Sequence, residues 1–278
     1  VRWVRGHNMA KAAVEMAGWD LAARAEGVSL SQKLGGDRDV VPVGVSIGLK
    51  ATDEELHESV SGYLDDGYAR VKIKIKPGRD IEMLAGLRER FPDVAFMADA
   101  NSAYTLDDVD RLKELDALDL MMIEQPFSYD DFLDHARLQE QLSTPVCLDE
   151  SIKSEGDLAL AFELGSCQIV NIKPGRVGGF GVSRRLHDTA RDRDMPVWCG
   201  GMLESGVGRA YNVALASLPG FSLPGDISAS QRYWEQDIVT PEFEVEDGVM
   251  RVPSGVGLGV ELDLDRIHGL TTREASFG

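Results

Sequence analysis

Lysine and cysteine are both scarce in this 278-residue chain. The cysteines, Cys147, Cys167 and Cys199, stand singly inside apolar runs. They offer neither a disulfide framework nor metal-ligand spacing and read as small buried side chains. Lys and Arg together number 29 against 47 Asp and Glu, a formal net charge of −18. That balance excludes the basic face that nucleic acid requires. The acidic excess is scattered rather than gathered in a tail, so it reads as a solvated surface, with adaptation to high salt as a second reading. No apolar run approaches the roughly 20 residues that cross a bilayer. The opening residues lack a signal-peptide pattern, so a cytoplasmic location is the expectation. His7, His57, His135, His187 and His268 fall in helical or terminal segments, and none is assigned to catalysis.

What remains is a 43% hydrophobic, 27% charged sequence, enough for one large α/β barrel or two ordinary domains. Five short apolar runs each end on an ionisable residue, at Lys74, Asp99, Glu124, Asp149 and Lys173. The interval is about 25 residues, the length of one strand, one helix and two short loops. Strand patterns at 41–49, 70–75, 95–101, 119–125, 146–150, 168–174, 196–200 and 221–226 alternate with helical patterns at 53–66, 79–90, 105–117, 129–142, 154–165, 178–193 and 205–218. Such alternation predicts parallel strands. Eight strands and seven helices suggest a closed (β/α)7β TIM-like barrel, although an open doubly wound sheet has the same local pattern. Charges at so many consecutive strand ends favour the barrel, whose active site gathers residues from several strand tips.

Three carboxylates converging from consecutive strands cannot all stay ionised in a confined site without a cation. A hard divalent ion, Mg²⁺ first, with Mn²⁺ or another divalent ion as alternatives, suits oxygen donors. Lys74 and Lys173 would end the second and sixth of eight strands, opposite each other. A substrate between them meets an amine on each face, the geometry for removing a proton from one side of a carbon and returning it to the other. Lysine ordinarily titrates near 10.4, so a lysine base needs desolvation or neighbouring positive charge. With a strand period of two, Lys72 points the same way as Lys74.

Read together, Lys72-Ile-Lys74, Asp99-Ala-Asn101, Ile123-Glu124-Gln-Pro, Leu148-Asp149-Glu150-Ser, Asn171-Ile-Lys173-Pro-Gly-Arg176-Val-Gly-Gly and Trp198-Cys-Gly-Gly-Met-Leu-Glu204-Ser-Gly resemble the enolase superfamily, muconate-lactonising subgroup. Within it the chain is most similar to the N-succinylamino acid racemase/o-succinylbenzoate synthase family. The resemblance implies Asp99, Glu124 and Asp149 as Mg²⁺ ligands and Lys74 and Lys173 as the acid/base pair. It implies Lys72 as the holder of the substrate carboxylate and Asn101 as a substrate-side residue beside the metal. Glu150 would support the last ligand. Arg176 matches an arginine associated with racemase activity; a rim ion pair is its plainer reading. Gly200, Met202 and Glu204 would border the pocket for the substrate's acyl part. The implied activity is removal of a proton α to a carboxylate through an ene-diolate, as an N-acylamino acid racemase, as the dehydratase of menaquinone biosynthesis, or both. The implied partner is a small-molecule carboxylate, with neither nucleic acid nor membrane, in a homo-oligomer.

Alternatives remain. A muconate cycloisomerase or dipeptide epimerase would share the site, although the paired DxD expected of the latter near the eighth strand is replaced by Gly225-Asp226-Ile-Ser228. A Schiff-base lyase would explain a reactive lysine but not three carboxylates. Residues 1–38 read as the last helix and linker of the family's α+β capping domain, 39–229 as the catalytic barrel, and 230–278 as a segment returning toward the cap. On this reading the capping domain is largely missing, and an inactive barrel fragment is a further alternative.

Overall fold

Short apolar strands and the helices between them build one curled parallel sheet. The computed structural model describes residues 3–276. The chain begins with α1 (Asn8–Glu26), α2 (Leu30–Leu34), β1 (Val40–Pro42) and β2 (Gly44–Ile47). Alternation follows with α3 (Asp53–Asp65), β3 (Arg70–Lys74), α4 (Ile81–Arg90), β4 (Ala95–Asp99), α5 (Val109–Leu112) and β5 (Ile123–Glu124). It continues through α6 (Leu133–Gln139), β6 (Val146–Leu148), α7 (Glu155–Leu164), β7 (Ile169–Ile172), α8 (Pro174–Val177), α9 (Phe180–Arg191), β8 (Val197–Cys199) and α10 (Gly206–Ala216). The last part holds β9 (Val239–Thr240), β10 (Val249–Arg251), β11 (Glu261–Leu262) and α11 (Leu264–Leu270).

Strands β2 to β8 lie side by side in chain order, every pair parallel. The register sets Lys74 beside Asp99 and Asp99 beside Glu124. Helix starts follow local chemistry: Thr52 caps α3, Ser154 caps α7, and Ser29 forms a capping box with Gln32. α1 ends at Gly27, whose left-handed conformation suits a residue without a side chain. Among the described residues no helix is long and apolar enough to cross a membrane.

Three expectations are corrected. The strand read as 41–49 divides, because β1 leaves the sheet to pair antiparallel with β10 while only β2 enters it. The helix read as 105–117 is a 3-10 turn, the four-residue α5 and a second 3-10 stretch. The eighth strand, read as 221–226, is no regular strand, since Pro224 has no N–H for a ladder. The segment nevertheless bridges both edges of the sheet, Phe221 to Val197 and Gly225 to Val43. Gly44 N–H donates to the Gly225 carbonyl at 2.8 Å, and Asp226 N–H to the Cys199 carbonyl at 3.0 Å.

This approach depends on a missing side chain. A Cβ on Gly201 would lie 1.9 Å from the Asp226 carbonyl oxygen. Gly201→Ala is therefore expected to destabilise the protein by about 1–3 kcal/mol. At roughly 2–4 °C per kcal/mol the fall should be plain in a thermal melt. A melting point unchanged within about 1 °C would mean that segment 221–226 shifts freely.

Inside the sheet, a plug of Met97, Met122, Cys147, Ile169 and Trp198 forms an apolar cluster separate from the main core. Met97, Met122 and Cys147 each lie two residues before a charged strand tip, hence on the same inward face one step deeper. The charges thus rest on a dry floor. On the outside, α1 packs on α8 and α9. Glu15 accepts the N–H groups of Phe180 at 2.8 Å and Gly181 at 2.9 Å, where α9 begins. Asn8 donates to the Arg176 carbonyl at 2.9 Å. The first helix therefore grips the loop that follows Lys173.

Candidate active site

At the carboxyl ends of the strands the expected charges meet. Lys74, Asp99 and Glu124 are the last residues of β3, β4 and β5; Asp149 and Lys173 sit one residue beyond β6 and β7. Asp99, Glu124 and Asp149 are at most 1% exposed, and Lys72 is 3% exposed. Charges so far from water must be paired, and they are. The Lys72 ammonium lies 2.8 Å from Glu124, 3.2 Å from Asp99 and 2.5 Å from Asp226. Lys74 reaches Asp99 at 2.6 Å and donates to the Asn101 side-chain oxygen. Lys173 reaches Asp149 at 2.8 Å, and Arg176 holds that carboxylate's other oxygen.

Supporting bonds fix these groups. Arg176 also donates to the carbonyls of Ile152 at 2.9 Å and Asn171 at 2.7 Å, so its plane is set by backbone. Asn171 donates to Glu124 at 2.7 Å, and Asn101 to Glu150 at 3.2 Å. Gln125, in a left-handed turn after β5, accepts from the Asp149 N–H at 3.0 Å and ties two strand ends together. A Cβ on Gly200 would lie 2.1 Å from the Asn171 side-chain oxygen and 2.6 Å from the Lys173 stem. Glycine there leaves the lysine its room. Glu204 turns into its own loop, accepting from Met202 N–H at 2.7 Å and Asn212 at 3.0 Å, while Met202 is exposed at the rim.

Protonation follows from this pairing. Burial pushes Glu124 up, and Asp99 adds to it, to about 8 despite Lys72. Burial would also raise Asp149, but Arg176 and Lys173 hold it at about 2. Asp99 falls below the usual carboxylate range, because Lys72 and Lys74 outweigh its burial. Burial alone would lower the lysines; instead Asp226, Glu124 and Asp99 hold Lys72 well above its ordinary value, and Asp149 and Glu124 raise Lys173. In this arrangement the surroundings raise Lys173, the opposite of the lowering that a neutral lysine base requires.

Among the described residues no group of three or more His, Cys, Asp or Glu side chains stands ready-made around a metal position. The three carboxylates face lysines and an arginine instead. The donor set still suits a hard divalent ion: three carboxylates on adjacent strands, with Glu150 Oε2 and Asn171 Oδ1 buried nearby and without a hydrogen-bond partner. Orphan buried oxygens at a cluster of carboxylates are what a cation or its water would satisfy.

Three polar residues of the site were missed by sequence reasoning. Asp226 had served only to argue against a DxD pair, yet it joins Lys72 and Arg70. Asn171 sits two residues before Lys173 on the same inward face, and Arg70 two residues before Lys72, 1% exposed. Period-two counting from the lysines would have found both, and a buried Arg70 would then have demanded a carboxylate.

A curled parallel sheet with paired lysines and acids at its strand tips defines a class of barrel enzyme, and comparison with known proteins states it. The chain belongs to the enolase superfamily. Residues 55–266 match the family described as Enolase C-terminal domain-like, and residues 1–35 match the Mandelate racemase / muconate lactonizing enzyme, N-terminal domain. It is 55% identical over 268 residues to the o-succinylbenzoate synthase of Geobacillus stearothermophilus, covering 96% of this chain and 72% of that protein. It is 52% identical over 267 residues to the N-succinylamino acid racemase of Thermus thermophilus, again 96% and 72%. A crystal structure of an enolase-superfamily protein from Listeria innocua superposes with a TM-score of 0.93 at 50% identity, covering 96% of this chain and 72% of that one. The protein is thus an enzyme of a superfamily of metal-dependent isomerases and lyases.

Proposed function

We propose that this protein removes the proton α to the carboxylate of a small substrate, through an ene-diolate, and that it racemises N-succinylamino acids, forms o-succinylbenzoate, or does both. The observation that carries the reading is the placement of Lys74 and Lys173 four strands apart around a trio of buried carboxylates. Residues 39–229, with segment 221–226 as eighth stave, are the (β/α)7β catalytic unit. Residues 1–38 belong to the cap and 230–278 return toward it. Asp99, Glu124 and Asp149 would hold the divalent ion, Mg²⁺ or Mn²⁺. When bound, that ion supplies positive charge toward the substrate carboxylate, which acidifies the α-carbon and balances the second negative charge of the ene-diolate.

The rest is done by the chain's own groups. Lys72 and Asn101 orient the substrate carboxylate. Lys74 takes the α-proton from one face and Lys173 returns one to the other, which racemises the centre. The apolar floor of Met97, Met122 and Trp198 excludes water beneath the reacting carbon. Arg176 pins Asp149 and leaves Lys173 facing the substrate. Met202 and Glu204 shape the rim where the acyl group enters. Both activities stay in the proposal because relatives above 50% identity carry both names. Dehydration uses the same parts: Lys74 serves as base and then acid while Lys173 remains cationic.

Proton NMR in D₂O tests it, with N-succinylphenylalanine and, separately, the cyclohexadiene precursor of o-succinylbenzoate, in the presence of Mg²⁺. Loss of the α-proton signal or appearance of the aromatic product is the expected result. Neither event, in a folded protein with metal supplied, would sink the proposal in favour of an inactive barrel.

A further inference from the structure

Lys72 is more heavily paired than its expected task requires. An ammonium has three protons to donate, and here it faces three carboxylates, Glu124, Asp99 and Asp226, at 2.8, 3.2 and 2.5 Å. The first two are the residues read above as metal ligands. Asp226 differs from them in origin: it comes from the closing segment across the seam of the sheet, where its N–H is held by the Cys199 carbonyl at 3.0 Å. Its other oxygen meets Arg70 at 2.6 Å, and Arg70 in turn donates to the Pro224 carbonyl at 2.8 Å. Beneath both cations lies the face of Trp198, 5.1 Å from the Lys72 nitrogen and 5.5 Å from the Arg70 guanidinium carbon. A cation–π contact adds attraction in the same direction.

We propose that Asp226 is a positioning residue: with Arg70 and the Trp198 ring it forms a private berth for the Lys72 ammonium, so that Glu124 and Asp99 can turn to a divalent cation. A buried ammonium deprived of all its carboxylates would be strongly destabilising. With Asp226 in place, the two ligands can leave Lys72 while one carboxylate, shared with Arg70, stays behind. Without it, Lys72 has only the ligand carboxylates to pair with and competes with the cation for them.

This inference rests on the reading of Glu124 and Asp99 as metal ligands, and its test keeps the two apart. Mn²⁺ affinity is measured by titration with electron paramagnetic resonance on the wild type, Glu124→Gln, Asp226→Asn, Lys72→Met and the Lys72→Met/Asp226→Asn pair, with a thermal melt of each in chelator. Wild-type binding abolished by Glu124→Gln supports the ligand reading; no such loss overturns that reading and this inference with it. Given that binding, Asp226→Asn is expected to weaken Mn²⁺ affinity about tenfold, or about 1.4 kcal/mol. Adding Lys72→Met should restore the affinity, because the competitor is gone. A structural role for Asp226 alone, or a role as a fourth ligand, would leave the double variant as weak as the single one. Unchanged affinity in Asp226→Asn would equally overturn the proposal. Should the single variant fail to fold because Arg70 is left unpaired, Arg70→Met/Asp226→Asn removes both charges and carries the same comparison.

Discussion

Lys74→Ala is expected to abolish racemisation and to cut α-proton exchange of one enantiomer of N-succinylphenylalanine by about 10³-fold or more, within the range ascribed to a positioned acid or base. Exchange of the other enantiomer should persist. Lys173→Ala should show the mirror pattern. The two lysines stand at the carboxyl ends of β3 and β7, four strands apart, so on the two-base reading each reaches only one face of the substrate carbon. Proton NMR of each pure enantiomer in D₂O resolves the four combinations. If either variant lost exchange of both enantiomers to the same extent, one lysine would be serving both faces and the two-base mechanism would be wrong. Neither variant should unfold, since Lys74 is partly exposed and Asp149 keeps Arg176 when Lys173 is removed.

Removing the metal should have an effect of the same order. Stabilising the ene-diolate charge is worth several kcal/mol, and about 4 kcal/mol corresponds to roughly 10³-fold in rate. Activity should fall at least that far in excess chelator and return with Mg²⁺ or Mn²⁺. Glu124→Gln should not be rescued by either ion at concentrations that saturate the wild type. The site is well placed for such dependence, because Glu124 is fully buried and already pushed up to about 8 by burial and by Asp99. Activity that survives chelation, joined to borohydride trapping of a lysine adduct, would point instead to Schiff-base chemistry.

How much of this was readable in the sequence depends on which physical signal each residue leaves. The strand tips were legible because an apolar strand buried on both faces stops abruptly at its charge, and five such stops at one interval are hard to produce otherwise. Lys74, Asp99, Glu124, Asp149 and Lys173 lie where that interval put them. The paired state of those charges was not legible, since it depends on which side chains cross the mouth. Asp226 was illegible for a different reason. Its segment was read as the eighth strand, yet Pro224 and Gly225 interrupt the apolar run before Asp226, so that residue left no apolar-to-charge stop like those of the other five. Helix 105–117 was misread because its periodicity was right while its turns tightened to 3-10 geometry around Lys113 and Leu118.

The closing segment also governs how the molecule must assemble in time. Asp226 meets Arg70 across 156 residues of chain, and Arg232 meets the Ser46 carbonyl across 186. Contacts of such sequence separation form late, after the loop-closure entropy of the intervening chain has been overcome. Neighbouring staves such as β3 and β4 can pair early and locally, whereas the seam between β2 and β8 waits for nearly the whole chain. Lys72 is therefore expected to acquire its third carboxylate late in folding. A partly folded molecule can hold most of its barrel and still lack a settled centre, so refolding followed by helix content should run ahead of refolding followed by the return of metal binding.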